Sequence, residues 1–198
     1  MIKLIWNLLA LLGLAVAAIV IAGLVKYPSE IKSLTEFDDQ ALSTYATIGE
    51  TLLETGDGAE ATVWKIPVKE GLSAQDVEDT MKFVANEHNF KNVGELPLYK
   101  EIESISGEPS RFIKIYMFCN AMTAARMMVY NDAYSAYLPC RITLVEDNET
   151  PGKLWLYTLN MDLMIHGGKE LPPELKEEAL QVKEIILDIV NRGAEGAF

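Results

Sequence analysis

Between residues 4 and 25 the chain carries one polar side chain, Asn7, and no charge; Lys3 stands before the run and Lys26 after it. A bilayer core needs about 20 apolar residues in a helix, and this run supplies them. Residues 1–26 are therefore expected to be a transmembrane anchor, meeting the membrane through residues 4–25. A cleaved secretory signal has a shorter apolar region with a small-x-small site beyond it. Here the one good match, Ala15-Val16-Ala17, lies inside the run, which favours an uncleaved signal anchor. A short positive tail before such a helix tends to stay in the cytoplasm. The expected location is a single pass through a bacterial inner membrane, with the body on the periplasmic side. Gly13 and Ala17 are four apart, as are Ala18 and Ala22, a spacing that lets membrane helices approach closely. The general abundance of Ala and Gly in such helices accounts for them equally.

The 198 residues hold 17 Lys and Arg against 29 Asp and Glu, a formal charge of −12. Nucleic acid demands a basic footprint, so it is not an expected partner, and an acidic body is repelled by anionic lipid. The stretch past residue 60 suffices for one domain with a real core and not for two. Two cysteines, Cys119 and Cys140, are too few for a disulfide framework and form no C-x-x-C pair.

Three segments follow from these patterns: the anchor (1–26), an acidic linker (27–60) and a globular domain (61–198). In the linker, Ile31, Leu34, Ala41, Tyr45, Ile48 and Leu52 recur at three- and four-residue spacing, with a gap at Asp38. That period is an amphipathic helix. It packs on its own domain or pairs with other copies as a short seam.

In the domain, 62–68 alternates as a strand, and Ser73 with Asp76 forms a capping-box pattern at a helix start. Residues 90–93 suggest a short extended stretch, 98–105 a strand, and 111–119 a strand apolar on both faces, hence interior. A helix is expected over 121–130, a hairpin over 140–146 and 153–161, and a last helix opened by Pro172-Pro173. The fold class is α+β: an antiparallel sheet of about five strands with helices packed on one face, preceded by a transmembrane helix and an amphipathic linker helix.

Particular residues carry a family resemblance. Phe118-Cys119-Asn120, Leu138-Pro139-Cys140-Arg141, Asn160-Met161-Asp162, Gly167-Gly168 and Leu171-Pro172-Pro173-Glu174-Leu175 together resemble the bacterial and archaeal family called domain of unknown function 302, from about residue 62 onward. The resemblance implies a compact α+β domain that tends to dimerise. It implies no reaction, and the occurrence of some members in sulfur-oxidising bacteria gives context only.

No metalloprotease, dinucleotide, P-loop or nucleophile-elbow motif occurs in the sequence, so no enzyme activity and no cofactor are expected. Two candidate sites remain. Met161, Met164 and His166 are soft ligands that suit copper(I) or haem iron, with Cys119 and Cys140 as further thiols or a single disulfide; against this, Met often fills irregular cores. Arg126 and Arg141, flanking Tyr130, Tyr134 and Tyr137, could line a pocket for a small anion such as a sulfur oxyanion; against this, the tyrosines suit a core with wet tips. The expected function is a membrane-anchored, non-catalytic domain that self-associates or joins a membrane assembly. The alternative is a redox, metal, haem or small-anion binding module.

Overall fold

The computed structural model describes residues 2–198; the side chains of Ile2, Leu4, Leu8, Glu30 and Ile31 lie outside the description, and with them Ile31's place in the linker stripe. The chain opens with helix α1 (Ile2–Lys26), and Ile5–Lys26 within it is long and apolar enough to cross a membrane. Pro28 starts a short helix α2 (Pro28–Leu34), and α3 (Ala41–Thr55) ends at Gly56, whose φ of 69° is the left-handed conformation that stops a helix cheaply.

The body is a five-stranded antiparallel sheet built from β1 (Val63–Pro67), β2 (Lys91–Leu96), β3 (Ile113–Cys119), β4 (Cys140–Glu146) and β5 (Leu154–Leu159), in the order β1-β5-β4-β3-β2. Helix α4 (Ala74–Glu87) begins at the expected capping box: Ser73 Oγ accepts from the Asp76 amide, and Asp76 accepts from the Ser73 amide. Helix α6 (Ala121–Tyr130) is capped by Asn120, and a short helix α7 (Met161–His166) by Asn160. The last helix, α8 (Pro173–Glu195), begins on Pro173 as expected.

One strand of the sequence reading is replaced. Residues 98–105 form no strand but helix α5 (Leu98–Ser106), closed by Gly107 at φ 74°. Leu98, Ile102 and Ile105 recur at four- and three-residue spacing, a helical period that a strand would split between its two faces, and the preceding Pro97 has no amide to give to a ladder. The fifth strand is instead β2, longer than the expected 90–93, with a bulge between Asn92 and Gly94. Strand β3 is interior, but the middle strand is β4. Residues 161–166 do not continue β5; they turn into α7.

Helices α4 and α8 cover one face of the sheet. Tyr116, Phe118, Ile142, Leu144 and Leu156 on that face are fully buried, together with Val77, Met81 and Val84 from α4 and Ile186, Ile189 and Val190 from α8. Burial of each such large side chain contributes about 1.5–3 kcal/mol. Two charges lie within this face, Glu78 of α4 and Lys114 of β3. Lys114 Nζ is 2.6 Å from Glu78 and 2.8 Å from Glu95, while Lys82 Nζ is 2.5 Å from Glu78 and 2.7 Å from Glu95. The Tyr116 hydroxyl donates to Glu78 at 2.7 Å. Every charge is thus matched, which a buried ionic cluster requires.

The opposite face has other residues. Register places Ile113, Ile115 and Met117 beside Val145, Thr143 and Arg141, Val145 and Thr143 beside Trp155 and Tyr157, and Val63 beside Leu159. None belongs to the buried core, and the apolar ones are half-buried.

The linker is a strap on its own domain, not a free stalk. Phe37 bridges Lys169, the Asp38 amide donates to Gly168 O at 2.9 Å, the Glu170 amide donates to Glu36 O, and the Tyr45 hydroxyl donates to Gly167 O at 2.6 Å. Asp38, the gap in the apolar stripe, is the buried pin. Its Oδ1 accepts from the Gln40 amide and meets His166 Nδ1 at 2.9 Å. Lys176 Nζ stands 2.7 Å from Oδ2, out of line for a hydrogen bond but close enough for a strong charge contact.

Burial alone would raise the Asp38 carboxyl, but Lys176, the Gln40 amide and His166 outweigh it and hold the group at about 2, below its ordinary 3.8. Glu78, similarly opposed by burial, is held at about 2 by Lys114, Lys82 and Tyr116. Depressed folded values add stability at neutral pH that disappears as protons bind. Unfolding free energy is therefore expected to fall as pH drops from above 4 toward 2, by roughly 2 kcal/mol for Asp38. Asp38→Asn should cost about 3 kcal/mol at pH 7 and shrink this acid limb to the share from Glu78. Urea unfolding across pH 2–7 checks both; an unchanged limb in the variant would remove Asp38 from the account.

Candidate functional site

At one end of the uncovered face, a 3₁₀ turn (Asp132–Tyr137) and α7 rise beside the starts of β1 and β4 and the end of β5. They enclose an open recess of about 230 Å³. Its floor is Val63, Ile115, Thr143, Tyr157 and Leu159; Tyr137 and Arg141 stand at its edge, and Cys140, Met161 and Met164 form its inner wall. The position of Arg141 follows from β4, where its carbonyl accepts from Thr158 Oγ1 at 2.9 Å. Among the described residues Arg141 is the one charged group lining the recess, and its guanidinium has no ion-pair partner.

The tyrosine stripe forms as expected along its length, with ring centres of Tyr130 and Tyr134 6.1 Å apart and those of Tyr134 and Tyr137 6.4 Å apart. Only Tyr137 reaches the recess. Tyr134 is tied back by a hydrogen bond to Met164 O at 3.3 Å and lines a neighbouring groove with Tyr45 and Gly167; burial raises its hydroxyl. Tyr130 lies outside both. Arg126 is turned away altogether, paired to Glu178 of α8 at 2.8 Å. The two-arginine pocket is therefore a one-arginine recess, because a nearby carboxylate on α8 satisfies Arg126 first.

The soft ligands divide as well. Met161 and Met164 line a small cleft of about 30 Å³ on the inner side of the recess wall, together with Cys119, Cys140 and Met127. His166, on the same short helix, points elsewhere and is 2% exposed against Asp38. It is neither polar surface nor a partner of the methionines. Both cysteines are free thiols. Cys140 is pushed up to about 11 by burial first and then by the adjacent Cys119 thiol, and Cys119 is raised by burial. Among the described residues no three His, Cys, Asp or Glu side chains gather as metal ligands. The cleft is far below the roughly 300 Å³ of ordinary ligand pockets, so a haem does not fit there.

Two features escaped the sequence reading. Asp38 was visible only as an interruption of a stripe. The Glu78–Lys114 cluster had a signal: Glu78 falls between Val77 and Met81 on the buried side of α4, and Lys114 between Phe112 and Tyr116 on the buried side of β3. Opposite charges on two facing apolar surfaces imply each other. All its members are saturated by one another, as a structural cluster requires.

Residues 64–193 match the family model described as domain of unknown function DUF302. A solved structure, the crystal structure of an uncharacterized conserved DUF302 protein from Bacillus stearothermophilus, aligns with a TM-score of 0.53 at 16% identity, over 66% of this chain and 97% of that one; at that identity the likeness is one of fold. No curated protein matches the chain. Helices α1 to α3 and the strap lie before the matched segment. With the family match spanning most of the chain and the sheet common to a solved member, this chain belongs to the DUF302 family.

Proposed function

We propose that the chain is a single-pass protein of the bacterial inner membrane whose periplasmic DUF302 domain works by self-association and not by catalysis, within a membrane assembly. The observation that carries this reading is the uncovered sheet face. An antiparallel sheet exposed to water on one side normally alternates apolar and polar residues. Here seven of the nine outer positions of β3, β4 and β5 are apolar or aromatic, Ile113, Ile115, Met117, Val145, Trp155, Tyr157 and Leu159, and only Thr143 and Arg141 are polar. A second copy offers the same apolar face, and two sheets pack face to face about 10 Å apart. Tethering through α1 would confine copies to one plane, where weak contacts suffice.

Full-length protein in detergent is expected to sediment as an oligomer. Introducing Ile115→Glu with Tyr157→Glu should reduce its protein mass to that of one chain, or to that of a pair held by α1, in which case Gly13→Leu completes the separation. A correctly folded double variant with undiminished mass would move the interface off the sheet.

Orientation is checked separately. In spheroplasts, added protease is expected to digest residues past 30 while α1 remains in the membrane fraction. Protection of the domain until the membrane is broken would reverse the topology, and release of a soluble domain lacking α1 would replace the anchor by a cleaved signal.

A second reading rests on Arg141. An unpaired guanidinium over an apolar recess suits a small anion with an apolar or sulfur-bearing body, since Arg gives such groups two parallel donors. Thiosulfate, sulfite and short carboxylates are the probes. A ligand at 100 times its dissociation constant stabilises by about 2.7 kcal/mol, a shift readable by thermal melting. The shift is expected to vanish in Arg141→Gln and to persist in Arg126→Gln; equal loss in both, or none in either, would dismiss the site.

A further inference from the structure

The chain has ten sulfur side chains, eight Met and two Cys, and five of them line one cleft: Cys119 at the end of β3, Cys140 at the start of β4, Met127 on α6, and Met161 and Met164 on α7. Four elements distant in sequence therefore converge with the same chemistry. Phe118 pairs with Cys140 in the ladder; Cys119 is the next and last residue of β3, and although alternation sets it off from Phe118, at the strand end it lines the same cleft as Cys140. The remaining walls are mostly Phe90, Leu138, Ala124, Ala179 and Val182. Asn120 also lines the cleft, but its side-chain oxygen is already taken by the Met122 and Thr123 amides. No carboxylate and no imidazole lines it.

Methionine used as filler closes space. Here about 30 Å³ stays open between the sulfurs, enough for a single ion or a water or two. A water needs two to four polar partners, and apart from the thiols the polar residues on these walls are Asn120, whose side-chain oxygen is taken, and Thr123. Thiolate and thioether donors select soft monovalent cations, Cu(I) above all. Borderline Zn²⁺ calls for four Cys, His or carboxylate ligands, and among the described residues not even three gather.

We propose that this cleft is a copper(I) site, with Cys119 and Cys140 as thiolate ligands and Met161 and Met164 as thioether ligands. Binding breaks two S–H bonds, releases two protons to solvent and forms two Cu–thiolate and two Cu–thioether bonds; no electron is transferred. Met161, Met164 and Cys140 line both the cleft and the recess, so they form the wall through which the ion enters. The charge of Arg141 acts on the Cys140 thiol and offsets part of the negative charge of a bis-thiolate complex. The site is independent of how copies of the chain associate.

The test is an anaerobic competition of reduced full-length protein in detergent against the Cu(I) chelator bicinchoninate, with X-ray absorption at the copper edge. The expected result is one copper per chain in a shell of sulfur alone. Cys119→Ser and Cys140→Ser should each weaken binding by more than the roughly 10- to 100-fold that loss of a supporting contact costs. Met164→Leu should weaken it less, and Met122→Leu, exposed on the outer side of α6, should leave it unchanged. Circular dichroism of each variant separates lost ligands from lost fold, and the absorption spectrum of the unaltered protein needs no variant. Failure to take copper from the chelator, a nitrogen or oxygen shell, or undiminished binding by the double serine variant would each overturn the proposal.

Discussion

One layer of helices covers one face of one sheet, and the remaining features follow from that arrangement. Gly193 lets α8 close on α4 and the sheet: a Cβ there would lie 2.5 Å from Met81 Cγ. With α4 and α8 committed to Tyr116, Phe118, Ile142, Leu144 and Leu156, no described helix of comparable length remains for the outer face except α1 and α3 of the N-terminal segment. The strap holds α3 at the margin, against the 3₁₀ turn Glu60–Thr62 and α7. The outer face is therefore left with apolar residues and a recess at one end.

Buried charge does the opposite job to buried hydrocarbon. Apolar packing of α4 and α8 stabilises many arrangements of similar volume, whereas an unpaired charge tolerates none. Asp38 has to reach both His166 and Lys176, and Glu78 has to reach Lys82, Lys114 and Tyr116. The first cluster fixes where the strap lies; the second fixes α4 against β3 and β2. Because the strap is fixed, only residues 27–35 connect α1 to the packed body, at most about 30 Å of chain. The packed body therefore stays within that reach of the end of α1.

The recess and the sulfur cleft share a wall but differ in chemistry. The recess offers one cation and several hydroxyls on an apolar floor; the cleft offers mostly sulfur and hydrocarbon, with Asn120 and Thr123 as its polar residues. Cys140 sits between them because Leu138-Pro139-Cys140-Arg141 crosses from the 3₁₀ turn into β4, and strand alternation then sends Cys140 and Arg141 to opposite sides. One tetrapeptide thus contributes to both places.

Local signals carried the elements whose sequence admits a single period. The apolar run of α1, the capping box of α4, the alternation of β3, β4 and β5 and the Pro-opened α8 were legible because hydrophobic spacing and end residues agree there. Residues 98–105 were expected as a strand because Tyr99, Ile102 and Ile105 are residue types that suit one, but the four- and three-residue spacing of Leu98, Ile102 and Ile105 is helical, and that period prevails in α5. The sequence by itself determined the α+β class, the strands β1, β3, β4 and β5, the one-sided helix layer and the soft and cationic residues worth considering. Only the tertiary structure decided which of those residues meet: it gave Arg126 to Glu178, His166 to Asp38 and the two cysteines to Met127, Met161 and Met164. Spacing along a chain limits what neighbours in one element can do, but partners 52 or 128 residues apart are chosen by how whole elements pack.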